Sequence, residues 1–407
     1  MVSSAKQTAG TSATRIEGLR LAAAASGSRY QDRDDLVLIE IGEDCTTHSV
    51  YTTNRFCAAP ITVCKQHQKE AQPRYLIINA GNANAGTGTA GEQQALAVCR
   101  GVADLGGCPE EAVLPFSTGV IGEQLDASVL IDALPTLFDN LSPTSWESAA
   151  AGILTTDTRP KLRSTSVDLD GRPIHVTGIA KGSGMIKPNM ATMLAYVATD
   201  ARVDPAAMAA MVRRATDRSF NCITVDGDTS TNDALVVIAT GAAGNAVPEI
   251  GSAAFETIYA AIEAVCIELA KDIVRDGEGA TKFVSVSVRG GRDEQACRKV
   301  AYTVAESPLV KTAMFASDPN WGRILAAIGR SPDVEFELAD IDIDIGGHQV
   351  IKRGQPAPGY DETVAASLMQ NKEIDIAIAI GNTPLQATVW TCDFSYDYVR
   401  INAEYRS

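Results

Sequence analysis

Short apolar, β-branched runs recur along the chain, at residues 36–41, 49–53, 75–79, 174–178, 235–240, 283–288, 341–345 and 374–380. Several alternate apolar and polar positions with period two, as strands with one buried face do. Helical spacing of apolar residues runs between them, over 92–105, 126–134, 205–216, 253–272 and 362–370. Pro205 and Ser252 suit helix starts, since proline has no first-turn amide to lose and serine can cap one. Strands and helices mixed in this way predict layers of α/β or α+β type. The polar stretch 140–148 and the loop 187–191 read as junctions, and no internal repeat or low-complexity tract is evident.

Composition narrows the classes of function. The 407 residues are 45% apolar and 21% charged, enough for a sizeable core. A formal charge of −15 leaves no electrostatic footprint for nucleic acid or an anionic membrane. No run approaches the roughly 18 apolar residues of a membrane span. Arg20 interrupts the short apolar piece 19–25, so no signal peptide is expected. Nine scattered cysteines, without a CxxC pair, point to reduced thiols in a cytoplasmic protein. The four histidines show no metal-ligand spacing, so no metal is expected.

Three segments raise chemistry. GTGTAG over 86–91 matches GxGxxG before a helix and opens a dinucleotide-binding alternative through Gly86, Gly88 and Gly91. Six residues separate it from the strand core at 75–79, whereas a dinucleotide fold runs strand into turn almost directly. A tight Gly/Asn loop is the competing reading. Ser183 sits between Gly182 and Gly184, but a nucleophile elbow needs glycines two residues away on each side, where Lys181 and Met185 stand.

The third is Thr192, in the run KGSGMIKPNMATML that begins at Lys181. A plain polar residue at the start of a strand is one reading. The other is a nucleophile activated by its own main-chain amine. A threonine hydroxyl needs a base, and an α-amino group, with a pKa of about 7.7–8.0, is well matched to that task. Self-cleavage would free it. The hydroxyl attacks the Ala191 carbonyl, the acyl group shifts from nitrogen to oxygen, and water hydrolyses the ester. Thr118 and Gly119, in PFSTGVIG, are either an ordinary turn or a hydroxyl and an amide for an oxyanion. The segment 220–233 and the glycine loop around Glu278 stand open between polar loop and substrate contact, and 317–323 reads as a structural turn.

Beyond these, KGSGMIKPNMATML closely resembles the self-cleavage segment of the ornithine acetyltransferases, the ArgJ family. The likeness continues through YTTNRFCAAP from Tyr51, NAGNANAGTG from Asn79, STGVIGE from Ser117 and TTDTRPK from Thr155. It runs on through FNCITVDGDTSTND from Phe220, RDGEGATK from Arg275, DPNWGRI from Asp318 and NAEYRS from Asn402. The resemblance implies a layered α/β (α+β) sandwich, a DmpA/ArgJ-like fold with N-terminal-nucleophile-type chemistry. It implies cleavage between Ala191 and Thr192 into an α chain 1–191 and a β chain 192–407, forming one intertwined catalytic unit and an α2β2 assembly. The implied reaction moves acetyl from N2-acetylornithine to glutamate through acetyl-Thr192, in arginine biosynthesis, with hydrolysis of N-acetylornithine as the alternative. Thr118 and Gly119 align with the oxyanion hole. Thr158, Lys181, Thr192, Glu278, Asn402 and Ser407 align with substrate contacts, Thr158 being chosen over Thr155 and Thr156 by its distance from Lys181. No cofactor is implied, although acetyl-CoA can serve some members as a donor.

Overall fold

The computed structural model describes residues 13–187 and 193–404. Its packing divides the chain into two units. The first takes Met1–Gly182, Pro188–Asn221 and Thr229–Ile273; the second takes Ser183–Lys187, Cys222–Asp228 and Val274–Ser407. Ala191, Thr192 and Ser407, all expected at the site, lie outside the described residues.

Two sheets build the first unit. One has the order β1 (Leu19–Ala24), β2 (Leu36–Ile41), β4 (Tyr75–Asn82), β5 (Val113–Val120). The other has the order β3 (Thr46–Tyr51), β9 (Ala234–Ala239), β8 (Leu194–Thr199), β7 (Arg172–Lys181), β6 (Lys161–Leu169). Their inner faces share a core in which Leu21, Ile39, Ile78 and Phe116 meet Ile179, Tyr196 and Ile238. Phe116 and Tyr196 join the two edge to face, with ring centroids 5.4 Å apart. The outer face of the first sheet packs on α2 (Gly88–Gly106) and α3 (Ala127–Asp139) through Val98, Val102, Leu130 and Leu134. The outer face of the second carries α5 (Pro205–Arg218) and α6 (Ala253–Arg275); Val265 and Leu269 lie so close over Gly178 of β7 that a side chain there would crowd them. Helix, sheet, sheet, helix is the layered sandwich that the sequence implies. Two further helices complete the unit, α1 (Ala59–Glu70) and α4 (Trp146–Gly152).

The second unit holds one six-stranded sheet in the order β13 (Gln355–Pro356), β12 (His348–Lys352), β11 (Asp342–Ile345), β14 (Glu373–Ala379), β10 (Phe283–Arg289), β15 (Gln386–Cys392). Its core joins Val286, Ile343 and Ile376 to α7 (Glu294–Ala305), α8 (Pro308–Phe315), α9 (Trp321–Gly329) and α10 (Glu362–Met369). The last helix, α11 (Tyr396–Ala403), starts on the Ser395 side chain, which accepts from the Asp397 amide.

Periodicity placed closely the elements it marked and passed over others, among them β1, β5, β6, α1 and α7. β2 occupies the predicted 36–41, and β10 and α6 start where expected. The 49–53 run forms a strand three residues earlier, because β3 takes its register from β9, pairing Thr46 with Ala239. The junction expected at 140–148 is not one. That stretch lies inside the first unit, where Ser142 and Leu21 exchange backbone hydrogen bonds of 2.9 Å in each direction. The loop 187–191 does coincide with a change of unit, at Lys187 and Pro188.

Candidate active site

Lys181 ends β7, buried, and its ammonium is aimed by three neighbours. Nζ donates to Thr155 Oγ1 at 2.7 Å and to Thr118 Oγ1 at 3.1 Å, and stands 3.8 Å from the Asp157 carboxylate. Asp157 also accepts from Lys161 Nζ at 2.6 Å, in a pair with both side chains fully buried, and from the Gly182 amide at 2.7 Å. Burial alone would raise the Asp157 carboxyl; Lys181 and Lys161 outweigh it and hold the group well below the usual carboxylate range. Two ammonium groups against one carboxylate leave this spot positive in an acidic protein, as an anionic ligand group would require.

Thr118 and Gly119 lie at the C-terminal end of β5, where β5 runs parallel to β4. Gly119 has φ +129, and a Cβ there would overlap the Gly81 backbone, so only glycine fits. The strand end is braced from behind. Ser117 Oγ donates to Asn79 Oδ1 at 2.6 Å, and Asn232 Nδ2 donates to the Ser117 carbonyl at 2.9 Å and the Ala83 carbonyl at 2.6 Å. Since Thr118 Oγ1 accepts the hydrogen bond from Lys181, its own O–H remains to donate to a ligand oxygen.

Thr192 itself is not described, but the chain on its C-terminal side is. Leu194 opens β8 directly opposite Lys181 of β7. Asp233, just before β9, is buried beside this junction and accepts from the amide of Met193, the residue after Thr192. Burial pushes the Asp233 carboxyl well above the usual range, Ser230 and Lys181 opposing only in part, and its Oδ2 is buried with no hydrogen-bond partner. Sequence reading included Asp233 in a polar segment and gave Asp157 no role. Their TTDTRPK and STND contexts carry no local signal of burial.

Glu278 and Asn402 meet in the second unit. Asn402 Nδ2 donates to Glu278 Oε2 at 2.9 Å, and the Glu278 amide donates to the Ser183 carbonyl at 2.9 Å. A Cβ on Gly184 would collide with the Glu278 carboxylate, which explains the glycine. Met185 and Ile186 are held by Asp226, whose carboxylate accepts from their amides at 2.6 and 2.9 Å. Of the TTDTRPK threonines, it is Thr155 that touches Lys181, while Thr158 is exposed. The GTGTAG loop is knitted to itself. Asn84 Nδ2 donates to the Gly91 carbonyl at 2.9 Å, Thr87 Oγ1 donates to Asn84 Oδ1 at 2.8 Å, and a Cβ on Gly91 would overlap both side chains. That packing is the tight Gly/Asn loop rather than an open phosphate cradle.

No helix among the described residues is long and apolar enough to cross a membrane. The chain is 51% identical over 395 residues to the arginine biosynthesis bifunctional protein ArgJ of Psychrobacter arcticus, covering 96% of this chain and 97% of that one. It is 50% identical over 392 residues to the protein of the same name in Methylococcus capsulatus, covering 96% of each. Among solved structures it resembles the arginine biosynthesis bifunctional protein argJ of Bacillus halodurans, with TM-score 0.50 and 41% identity, over 52% of this chain and 98% of that one. The model of the ArgJ family matches residues 20–407, and the chain belongs to that family.

Proposed function

We propose that this protein moves an acetyl group from N2-acetylornithine to glutamate, in arginine biosynthesis, through an ester on Thr192. The observation that carries the reading is the contact of Lys181, on the strand that pairs with Leu194, with Thr118 at the end of β5, within a chain matched to the ArgJ family over 20–407. The precursor first cuts itself. Thr192 Oγ attacks the Ala191 carbonyl carbon, the Ala191–Thr192 amide bond breaks, and water hydrolyses the resulting ester. Ala191 leaves as a carboxylate and Thr192 gains a free α-amine. The solved Bacillus halodurans chain supports this, since 98% of it is matched by about half of the present one, as a cut chain would be.

In transfer, the α-amine takes the hydroxyl proton as Oγ attacks the acetyl carbon. The oxyanion rests on the Gly119 amide and the Thr118 hydroxyl. The C–N bond breaks, the proton passes to the departing amine of ornithine, and acetyl-Thr192 remains. The glutamate α-amine then attacks the ester and returns the proton to Oγ. Lys181 holds the α-carboxylate that donor and acceptor share. Glu278, oriented by Asn402, binds the ammonium of the ornithine side chain, and Thr155, which reaches Lys181 where Thr158 does not, completes the contacts with Ser407. Water must be kept from the ester, or acetate is lost. The word bifunctional in the relatives' names supports acetyl-CoA as a second donor. The cut chains remain together as an α2β2 assembly in the cytoplasm.

Denaturing mass spectrometry of the wild type is expected to show two fragments meeting at Ala191–Thr192, and Thr192→Ala one uncut chain without exchange activity. An uncut wild type with full activity would overturn the reading. Free acetate in place of N-acetylglutamate would make it a hydrolase.

A further inference from the structure

A second concave site lies wholly within the second unit. Its volume is about 650 Å³, within the range of nucleotide-sized ligands. Four cations line it, Lys187, Arg298, Lys299 and Arg330, against two carboxylates, Asp226 and Glu306. Both carboxylates are already engaged. Asp226 accepts from backbone amides, and Glu306 Oε2 accepts from Lys187 Nζ at 2.9 Å. The remaining cations are weakly neutralised. Arg330 donates to a neutral partner, the Thr303 carbonyl, at 3.1 Å. Lys299 stands 3.7 Å from Asp333, whose side chain is 85% exposed. Arg298 is half-buried and makes no ion pair among the described residues. In a chain of charge −15, a cleft with surplus positive charge is a local reversal that an anion would relieve.

Two further features narrow the anion. Tyr302, Pro308 and Pro332 give the cleft apolar surface, which a lone inorganic ion would not use. Glu306 Oε1 is buried and without a hydrogen-bond partner, an acceptor suited to a ribose hydroxyl or an exocyclic amine. We propose that the cleft framed by Lys187, Arg298, Lys299 and Arg330 binds the phosphate-bearing nucleotide end of a coenzyme A thioester. The proposal rests on the reading of the chain as an acetyltransferase that also takes acetyl-CoA, and it gives the nucleotide of that donor a docking place.

Calorimetric titration of the full self-processed protein with CoA, adenosine 3′,5′-bisphosphate and inorganic phosphate tests it. CoA and the bisphosphate are expected to bind saturably, about tenfold or more weakly in Arg298→Ala, as loss of one charge-assisted contact predicts, and more weakly again in Arg298→Ala/Lys299→Ala. Arg298→Gln serves where alanine impairs folding, judged by the thermal melt. Absence of saturable binding, or binding that these variants leave unchanged, overturns the proposal. So does inorganic phosphate binding as tightly as the bisphosphate, which would make free phosphate the ligand. The two readings fail separately. CoA bound here without acetylation of glutamate from acetyl-CoA keeps the site and removes the donor role. Acetylation from acetyl-CoA with a KM unchanged in the variants keeps the donor role and removes the site.

Discussion

At the scale of single residues, two buried aspartates near Lys181 have opposite electrostatics. Asp157 is held ionised by Lys181 and Lys161, so its folded-state pKa lies below the unfolded value. Its contribution is therefore present near neutral pH and is lost as pH falls below about 4 toward the depressed value. Asp157→Asn should cost about 3–5 kcal/mol near pH 7, since it leaves buried ammonium groups uncompensated, and thermal melts should show the difference from wild type shrinking on acidification. Asp233 is raised by burial, so its contribution is full below the unfolded pKa and is lost as pH rises through the folded one. Asp233→Asn should thus gain in melting temperature relative to wild type between pH 5 and pH 8. A gain that is larger at pH 5 would contradict the burial argument. Thr118→Ala removes one of the proposed oxyanion donors and should lower kcat by about 10²–10³ while KM for glutamate stays near wild type.

At the scale of elements, the strands before and after the proposed cut belong to one sheet. β7, before it, and β8, after it, are hydrogen-bonded neighbours from Lys181–Leu194 to Val176–Thr199. β9 continues the sheet from β8, and β3 returns to the residues before the cut by pairing with β9. Breaking one peptide bond removes none of these ladder bonds. The fragments should therefore co-elute in size exclusion and separate only across the denaturant transition that unfolds the sheet. Fragments that part in native buffer would show that this sheet does not hold them. The strand that carries Lys181 was legible in part, over 174–178; the Thr118 segment read as a turn and instead forms the end of β5, and β6 was not legible. Its run KLRSTSVDL is polar and half-exposed, and it becomes a strand only because β7 offers it a partner, from Lys161–Ala180 to Leu169–Arg172.

At the scale of the whole molecule, the division into units does not follow the division into fragments. The first unit draws on both sides of Ala191–Thr192, so the proposed cut does not fall at the border between the two units. None of the nine cysteines forms a disulfide, and six are buried; desolvation raises the thiols of Cys64, Cys266 and Cys99 above the ordinary range. Their work is packing, as scattered spacing without a CxxC pair suggested.

The sequence by itself determined the class of layers and the family, and it offered the segment around Thr192 as a candidate, because periodicity and long motifs are local and survive without contacts. It placed Lys181, Thr118 and Gly119 as candidates for the same reason. Tertiary structure alone decided which groups face one another. Thr155 rather than Thr158 reaches Lys181, Asp157 joins two lysines, and Asp233 lies buried beside Met193. The cationic cleft is likewise assembled from Lys187, the adjacent pair Arg298 and Lys299, and Arg330, three separate stretches of chain that are unremarkable one at a time. Burial and charge balance are properties of neighbours brought together by folding, and no run of residues carries them alone.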